Sequence, residues 1–148
     1  MKKLAAFTLA LALSAAMSTT AFADDDNRKV EVTAHIDPTY TVTIPANTTV
    51  KFNAVDTSFG EIKLTAAQLD PGKSVKVALS ASGTLKNSKD NRETLAYQIQ
   101  DGTTAFTSAT YKTAGQSTAL TIHIAQDDWN AAFAGDYADT VTFTISYQ

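Results

Sequence analysis

The sequence contains no cysteine, which excludes disulfide bonds and thiolate metal sites. Its only histidines, His35 and His123, fall on the polar phase of predicted strands with no third ligand at metal spacing, so we expect both to face solvent. The chain also lacks a Gly-x-Ser-x-Gly nucleophile turn and a glycine-rich phosphate loop. We therefore predict no catalytic residue, no metal and no cofactor, and we expect that the protein is not an enzyme.

Positive charge is also scarce, since 12 basic residues stand against 15 acidic ones and the formal net charge is −3. This balance argues against nucleic acid and against a polybasic membrane surface. Three acidic groups, Asp24-Asp25-Asp26, Asp127-Asp128 and Asp136 with Asp139, offer oxygen ligands but lack the spaced pattern of a calcium loop. Solubilising charge explains them as well, and Asp127 suits a helix N-cap.

The first 23 residues have the form of a signal peptide. Lys2 and Lys3 precede an apolar run over residues 4–17, and Ala21-Phe22-Ala23 matches a signal-peptidase site. The apolar run is shorter than the roughly 20 residues that span a bilayer. We predict cleavage after Ala23, a single domain over residues 24–148, secretion to the extracellular space or cell surface, and no membrane insertion after cleavage.

Alternation of apolar and polar residues is the main structural signal. Residues 137–147 alternate strictly, so that Val141, Phe143, Ile145 and Tyr147 share one face of a strand. Weaker alternations predict strands over residues 30–36, 40–44, 50–54, 61–64, 75–81, 95–99, 106–111 and 120–124, and residues 127–133 form the only helical pattern. We predict an all-β fold, an antiparallel immunoglobulin-like β-sandwich of about eight or nine strands, with a closed barrel as the alternative.

Aromatic residues outside the strongest strands allow two interpretations. Trp129 and Tyr111 are candidates for stacking on a carbohydrate. Alternatively, Trp129 and Phe133, four residues apart on the short helix, face inward together and plug one end of the sandwich. Tyr137, at the start of a late strand, suits a tyrosine corner, in which the hydroxyl bonds to nearby backbone.

Short motifs at both ends of the domain resemble those of a known protein family. Residues 134–145, Ala-Gly-Asp-Tyr-Ala-Asp-Thr-Val-Thr-Phe-Thr-Ile, resemble the ending of secreted bacterial pilin-like and adhesin-like immunoglobulin-fold proteins, including fimbrial subunits of the spore coat protein U type. Residues 30–38, Val-Glu-Val-Thr-Ala-His-Ile-Asp-Pro, resemble the start of colonisation-factor fimbrial subunits. The chain departs from spore coat U-type subunits, which usually carry cysteines.

The resemblance implies assembly by strand exchange, in which an N-terminal segment of one subunit fills a groove in the next by β-augmentation. The inserting residues would be Val30, Val32, Ala34 and Ile36, and the strand bordering the groove would supply Val141, Phe143 and Ile145. In the alternative, residues 30–36 pair within their own domain.

These observations together favour a non-catalytic, exported structural or adhesive module, such as a subunit of a pilus or surface fibre. Its expected partners are other proteins or copies of itself, with a host molecule or glycan as ligand. The alternative is a small secreted carbohydrate-binding module that uses Trp129, Tyr111 and loop aromatics.

Overall fold

A computed structural model describes residues 29–148, so the predicted signal peptide and Asp24-Asp25-Asp26 lie outside the described residues. Strands account for 47% of the described chain and helix for 5%. The all-β fold class is confirmed, with antiparallel sheets, one short helix and a sandwich-like arrangement. The main compact unit spans His35–Gln148. Within residues 29–148, no helix has the length and apolar character needed to cross a membrane.

Eleven strands and one helix follow one another along the described chain. The strands are β1 Thr39–Thr43, β2 Asp56–Gln68, β3 Val75–Ser80, β4 Thr84–Asn87, β5 Thr94–Ala96, β6 Gln98–Asp101, β7 Thr104–Ala105, β8 Ser108–Tyr111, β9 Ser117–His123, β10 Tyr137–Ala138 and β11 Thr142–Tyr147, and the helix is α1 Gln126–Ala131.

The strands form three sheets in which every pairing is antiparallel. The largest has the order β1-β2-β9-β6-β7, and the other two have the orders β10-β4-β5 and β11-β3-β8. Their inward faces enclose one core, because alternate residues of each strand point to the same side. The buried apolar residues are Ile62, Leu64, Val75, Val77, Leu95, Tyr97, Ile99, Phe106, Tyr111, Leu120, Ile122 and Ile124.

Two predicted strands are absent from the described chain. The structure has no strand over residues 29–38, so the strand predicted for residues 30–36 is not formed here. The strand predicted for residues 50–54 is also wrong. A turn replaces it, with Asn53 at φ 64° and a 3.1 Å hydrogen bond from the Ala54 N–H to the Lys51 carbonyl.

Two further strands that we predicted as continuous are each divided between two sheets. The 95–99 stretch splits at Tyr97 into β5 and β6, and the 137–147 stretch splits at residues 139–141 into β10 and β11. The polar stretch of residues 83–93 contains β4, the central strand of the β10-β4-β5 sheet. The strand count therefore exceeds the predicted eight or nine.

The helix lies close to its predicted position but begins differently. Ala125 occupies the N-cap position without a side-chain cap bond, so the prediction that Asp127 caps the helix is wrong. Asp127 and Asp128 instead lie in the first turn, where their charges favour the positive end of the helix dipole.

Candidate functional site: a groove between two sheet edges

Two sheet edges approach each other on one side of the fold. β1 is an edge of the five-stranded sheet, and β11 is an edge of the β11-β3-β8 sheet. At one end the rings of Tyr40 and Tyr147 stack with centroids 6.1 Å apart and an interplanar angle of 11°. Phe59 of β2 and Phe143 of β11 lie 6.2 Å apart between their ring centroids. Among residues 29–148, β11 pairs only with β3, so its other edge is open.

Inward-facing residues along these edges are incompletely covered. Val141 and Phe143 pack against the core but are only half-buried, whereas Val75 and Val77 of the neighbouring β3 are fully buried. On the opposite side, Ile44, which directly follows β1, is 47% exposed. Apolar side chains that point inward yet stay accessible line an open groove on this side of the fold.

The groove has two adjoining sections, which we name after an aromatic residue in each. The Phe143 section has a volume of about 450 Å³ and is bounded by residues 44–50 and 139–143, with Ile99 and Ile122 in its lining. The Trp129 section has a volume of about 400 Å³ and includes Leu95, Trp129 and Tyr137. Thr48, Val50, Leu85 and Asp139 line both sections, so the two are continuous.

Asp139 stands where the two sections meet. Its Oδ2 accepts hydrogen bonds from the Tyr97 hydroxyl at 2.6 Å and from the Ser82 hydroxyl at 2.7 Å. Burial raises the pKa of Asp139, but these bonds and two from backbone N–H groups outweigh it and hold the pKa below its usual 3.8. Burial, followed by the bond to Asp139, raises the pKa of Tyr97, which therefore remains a protonated donor.

The sequence carried a signal for Asp139 that our prediction did not use. Asp139 has the same parity as Val141 and Phe143, so an unbroken strand over residues 137–147 would place its carboxylate on the apolar face. A charge in that position requires hydrogen-bond partners or a break in the strand. The structure has both, since the chain leaves the β10-β4-β5 sheet at this residue.

Of the three residues predicted to border the groove, two line it. Val141 and Phe143 belong to the Phe143 section. Ile145 has the same strand phase but is 39% exposed and lies outside the lining of both sections.

The predicted inserting residues are exposed. Val30 is 85% exposed, Val32 91% and Ile36 64%, and Ala34 is also exposed. Their alternation with Glu31, Thr33 and His35 gives the segment one apolar face when extended. We call residues 30–36 the N-terminal segment.

The aromatic residues proposed for carbohydrate binding occupy different environments. Tyr111, the last residue of β8, is 3% exposed and bonds to the Thr118 hydroxyl at 2.8 Å, so the expectation that its ring is accessible is wrong. Trp129 packs against the core, and its Nε1 donates to the Ala54 carbonyl at 3.0 Å. Phe133 is 65% exposed, so it does not plug the sandwich together with Trp129.

The two histidines form separate surface pairs with carboxylates. His35 Nε2 lies 3.1 Å from Asp37, and both side chains are exposed. His123 Nδ1 lies 2.7 Å from Asp56, with 35% of the histidine side chain accessible. Over the described part of the chain, no three His, Cys, Asp or Glu residues cluster as metal ligands would.

Comparison with known proteins assigns no family. No protein-family model matches the chain, and none of the curated proteins searched matches it.

Proposed function

We propose that this protein is an exported, non-catalytic structural or adhesive subunit whose copies join by β-strand addition. The N-terminal segment of one copy enters the groove of the next, beside the start of β11 and between residues 44–50 and 139–143. The observation that carries the proposal is the open edge of β11 beside half-covered apolar residues, in a chain that also carries an exposed, alternating segment. The motif resemblance at both ends of the domain favours the same function.

Strand addition would remove an unfavourable exposure to water from both the open edge of β11 and the apolar face of the N-terminal segment. The backbone N–H and C=O groups on the open side of β11 gain ladder partners, which removes an aggregation-prone edge. The apolar face of the N-terminal segment leaves water, which contributes about 1.5–3 kcal/mol for each Val or Ile side chain that becomes fully buried. The polar face, Glu31, Thr33 and His35, remains in solvent.

A complementation experiment with two variants tests the proposed contact between the N-terminal segment of one copy and the groove of the next. Val32→Asp disables the inserting segment and leaves the groove intact, whereas Ile44→Asp places a charge in the groove and leaves the segment intact. Both residues are exposed, at 91% and 47%, so both variants should fold. We expect each variant alone to remain monomeric, and an equimolar mixture to form a heterodimer and nothing larger, as measured by light scattering after size exclusion.

Peptide binding tests the same contact between segment and groove without requiring polymerisation. Trp129 is the only tryptophan and lines the groove, so its fluorescence reports occupancy. A peptide of residues 29–38 should bind the Val32→Asp protein at a ratio of one to one and raise its melting temperature. The same peptide carrying Val32→Asp is the control. The proposal is refuted if the original protein stays monomeric and the peptide changes neither fluorescence nor melting temperature.

A carbohydrate-binding module is the second candidate, favoured by one feature. Phe52 is 82% exposed and packs edge-on against Trp129 with ring centroids 5.7 Å apart, which presents an aromatic surface beside the groove. A glycan array should then give a signal that Phe52→Ala removes while the fold is retained. A silent array for the original protein contradicts this function.

A further inference from the structure

Tyr40 and Tyr147 form the one aromatic pair within residues 29–148 that consists of two tyrosines. Their rings are stacked, with centroids 6.1 Å apart and an interplanar angle of 11°. Tyr40 belongs to β1 and Tyr147 ends β11, so the contact joins the first and last strands of the described chain. Neither residue lines either section of the groove, so this contact is separate from the proposed binding site.

Both rings of the pair can be reached from solvent. Tyr40 is 39% exposed and Tyr147 is half-buried, whereas Tyr97 and Tyr111 are buried in the core. Tyr137 is also half-buried, but its ring stacks on no other tyrosine in the described structure. A reagent in solution therefore meets two neighbouring phenols only at Tyr40 and Tyr147.

Side chains that would compete for an oxidant are scarce in the domain. The chain has no cysteine, and its two methionines, Met1 and Met17, both lie in the predicted signal peptide. Cysteine and methionine are common targets of oxidants in proteins. Because residues 24–148 contain no sulfur, oxidation of the domain falls on its aromatic side chains. Trp129, which packs against the core and donates to the Ala54 carbonyl, is the one tryptophan among them.

Tyr147 has a proton acceptor in contact with its hydroxyl. The hydroxyl donates to Asp70 Oδ2 at 2.9 Å and accepts a hydrogen bond from the Asp70 N–H at 3.0 Å. A phenol that loses an electron becomes a strong acid, and a carboxylate within hydrogen-bond reach can take its proton directly. Asp70 therefore favours the removal of one electron and one proton from Tyr147.

We propose that Tyr40 and Tyr147 are a site of oxidative modification, at which hydrogen peroxide acting through a haem peroxidase joins the two rings by a carbon–carbon bond. Each phenol gives one electron to the oxidant and loses its hydroxyl proton, that of Tyr147 to Asp70. The two phenoxyl radicals join through the ring carbons next to the oxygen-bearing carbons, after the side chains rotate out of the stack on the picosecond-to-nanosecond timescale of surface rotamers. Each joined carbon then releases its proton and each oxygen takes one up, which restores both phenols. The net loss is two electrons and two protons, which convert one hydrogen peroxide molecule into two water molecules.

The bond would close most of the compact unit into one covalent loop. Tyr40 lies near the beginning of the unit His35–Gln148, and Tyr147 is its penultimate residue. A cross-link between distant positions restricts the unfolded chain, and longer loops give the larger effect. In a chain without cysteine, the joined tyrosines would stabilise the fold as a disulfide does in other exported proteins. The modification leaves the groove lining unchanged and does not depend on strand addition.

Treatment of the dilute protein with hydrogen peroxide and a haem peroxidase tests the site. The main product should be a monomer that is lighter by two hydrogens, shows dityrosine fluorescence and melts at a higher temperature than the untreated protein. Trypsin cuts after Lys and Arg, so digestion should yield peptides 30–51 and 113–148 covalently joined. Recovery of only unlinked peptides, of cross-linked dimers, or of a monomer that has gained oxygen at Trp129 overturns the proposal.

Three phenylalanine variants identify the tyrosines that react, because each keeps the ring and removes the hydroxyl. Tyr40→Phe and Tyr147→Phe should each lose the dityrosine fluorescence and the linked peptides. Tyr137→Phe is the matched control, since Tyr137 lies in the same tryptic peptide as Tyr147, and it should form the product as the original protein does. A linked product that persists in Tyr40→Phe, or that disappears in Tyr137→Phe, assigns the bond to other residues and overturns the site.

A substitution at Asp70 tests its role as proton acceptor. Asp70→Asn keeps an oxygen that can accept the Tyr147 hydrogen bond, so the stack and the melting temperature before oxidation should be retained. The amide is a much weaker base than the carboxylate, so dityrosine fluorescence should appear several-fold more slowly at neutral pH. An unchanged rate in this variant would overturn the role assigned to Asp70.

Discussion

The hydroxyl of Tyr97 donates a 2.6 Å hydrogen bond to the carboxylate of Asp139, and each residue stands where the chain leaves the β10-β4-β5 sheet. Tyr97 lies between β5 and β6, and Asp139 follows β10. The bond therefore joins two crossing points between sheets. Because Asp139 also lines both sections of the groove, one polar contact links the stability of the fold to the shape of the proposed binding site.

Replacing Tyr97 by Phe tests the energetic importance of this contact. The change removes a hydrogen bond to a charged acceptor from a residue that is 9% exposed, and we expect it to lower the free energy of unfolding by about 2 kcal/mol. Tyr137→Phe is the control, because the Tyr137 hydroxyl donates to a neutral acceptor, the Phe133 carbonyl, at 2.9 Å. That variant should lose about 1 kcal/mol in the same urea titration. An equal or smaller loss for Tyr97→Phe would contradict the importance of the Asp139 contact.

Stability should fall on acidification through the same carboxylate. The folded-state pKa of Asp139 is below its unfolded value of 3.8, so the unfolded chain binds the proton more tightly. The stabilisation is present above the unfolded pKa and is lost as the pH falls through the folded pKa. Asp139→Asn should therefore have a lower melting temperature than the original protein at pH 7, and the difference should shrink towards pH 3. Asp136→Asn, at an exposed position nearby, controls for the change in net charge; a constant difference across this range would contradict the prediction.

Part of this architecture was predictable, because alternation reports which face of a strand is buried. Val75 and Val77 were predicted to share an inward face, and both are fully buried. The tyrosine corner was also predicted, and Tyr137 makes its backbone bond. Alternation does not encode the sheet to which a strand belongs, so the divisions at Tyr97 and Asp139 were missed.

The N-terminal segment shows a second limit of the same kind. Its alternation is as regular as that of a formed strand, yet residues 29–38 contain no strand in the described structure. An alternating sequence has the capacity to pair, but a strand forms only when another edge supplies the ladder. Sequence pattern therefore supplied the residues that we propose insert, whereas the groove depends on long-range packing that brings residues 44–50 close to residues 139–143.

We expect that a larger residue cannot replace Gly135 without cost, because the buried side-chain amide of Asn87 lies against this position. A Cβ at this position would overlap the side-chain amide of Asn87, which is only 3% exposed and accepts a 2.9 Å hydrogen bond from the Lys89 N–H. We expect Gly135→Ala to cost about 3 kcal/mol of unfolding free energy, from steric overlap in a packed site. Gly115→Ala is the matched control, since its φ is also positive but its Cβ would meet open space. That variant should cost about 1–2 kcal/mol from backbone strain alone, and the reverse order in a urea titration would show that Asn87 can move aside.

Two isoleucines with similar exposure make it possible to distinguish binding in the groove from binding along the rest of the strand edges. Ile44 is 47% exposed and lines the Phe143 section, whereas Ile145 is 39% exposed and lies outside the lining. Neither Ile→Ala change should cost the monomer more than about 1 kcal/mol, because both side chains are already largely in water. Ile44→Ala, in the Val32→Asp background, should nevertheless weaken binding of the 29–38 peptide by about ten-fold, since the inserted strand would bury less apolar surface there. Ile145→Ala should leave the affinity unchanged in the same Trp129 fluorescence titration. If the two substitutions weaken binding equally, the peptide lies along the whole edge of β11, and the groove between residues 44–50 and 139–143 does not define its site.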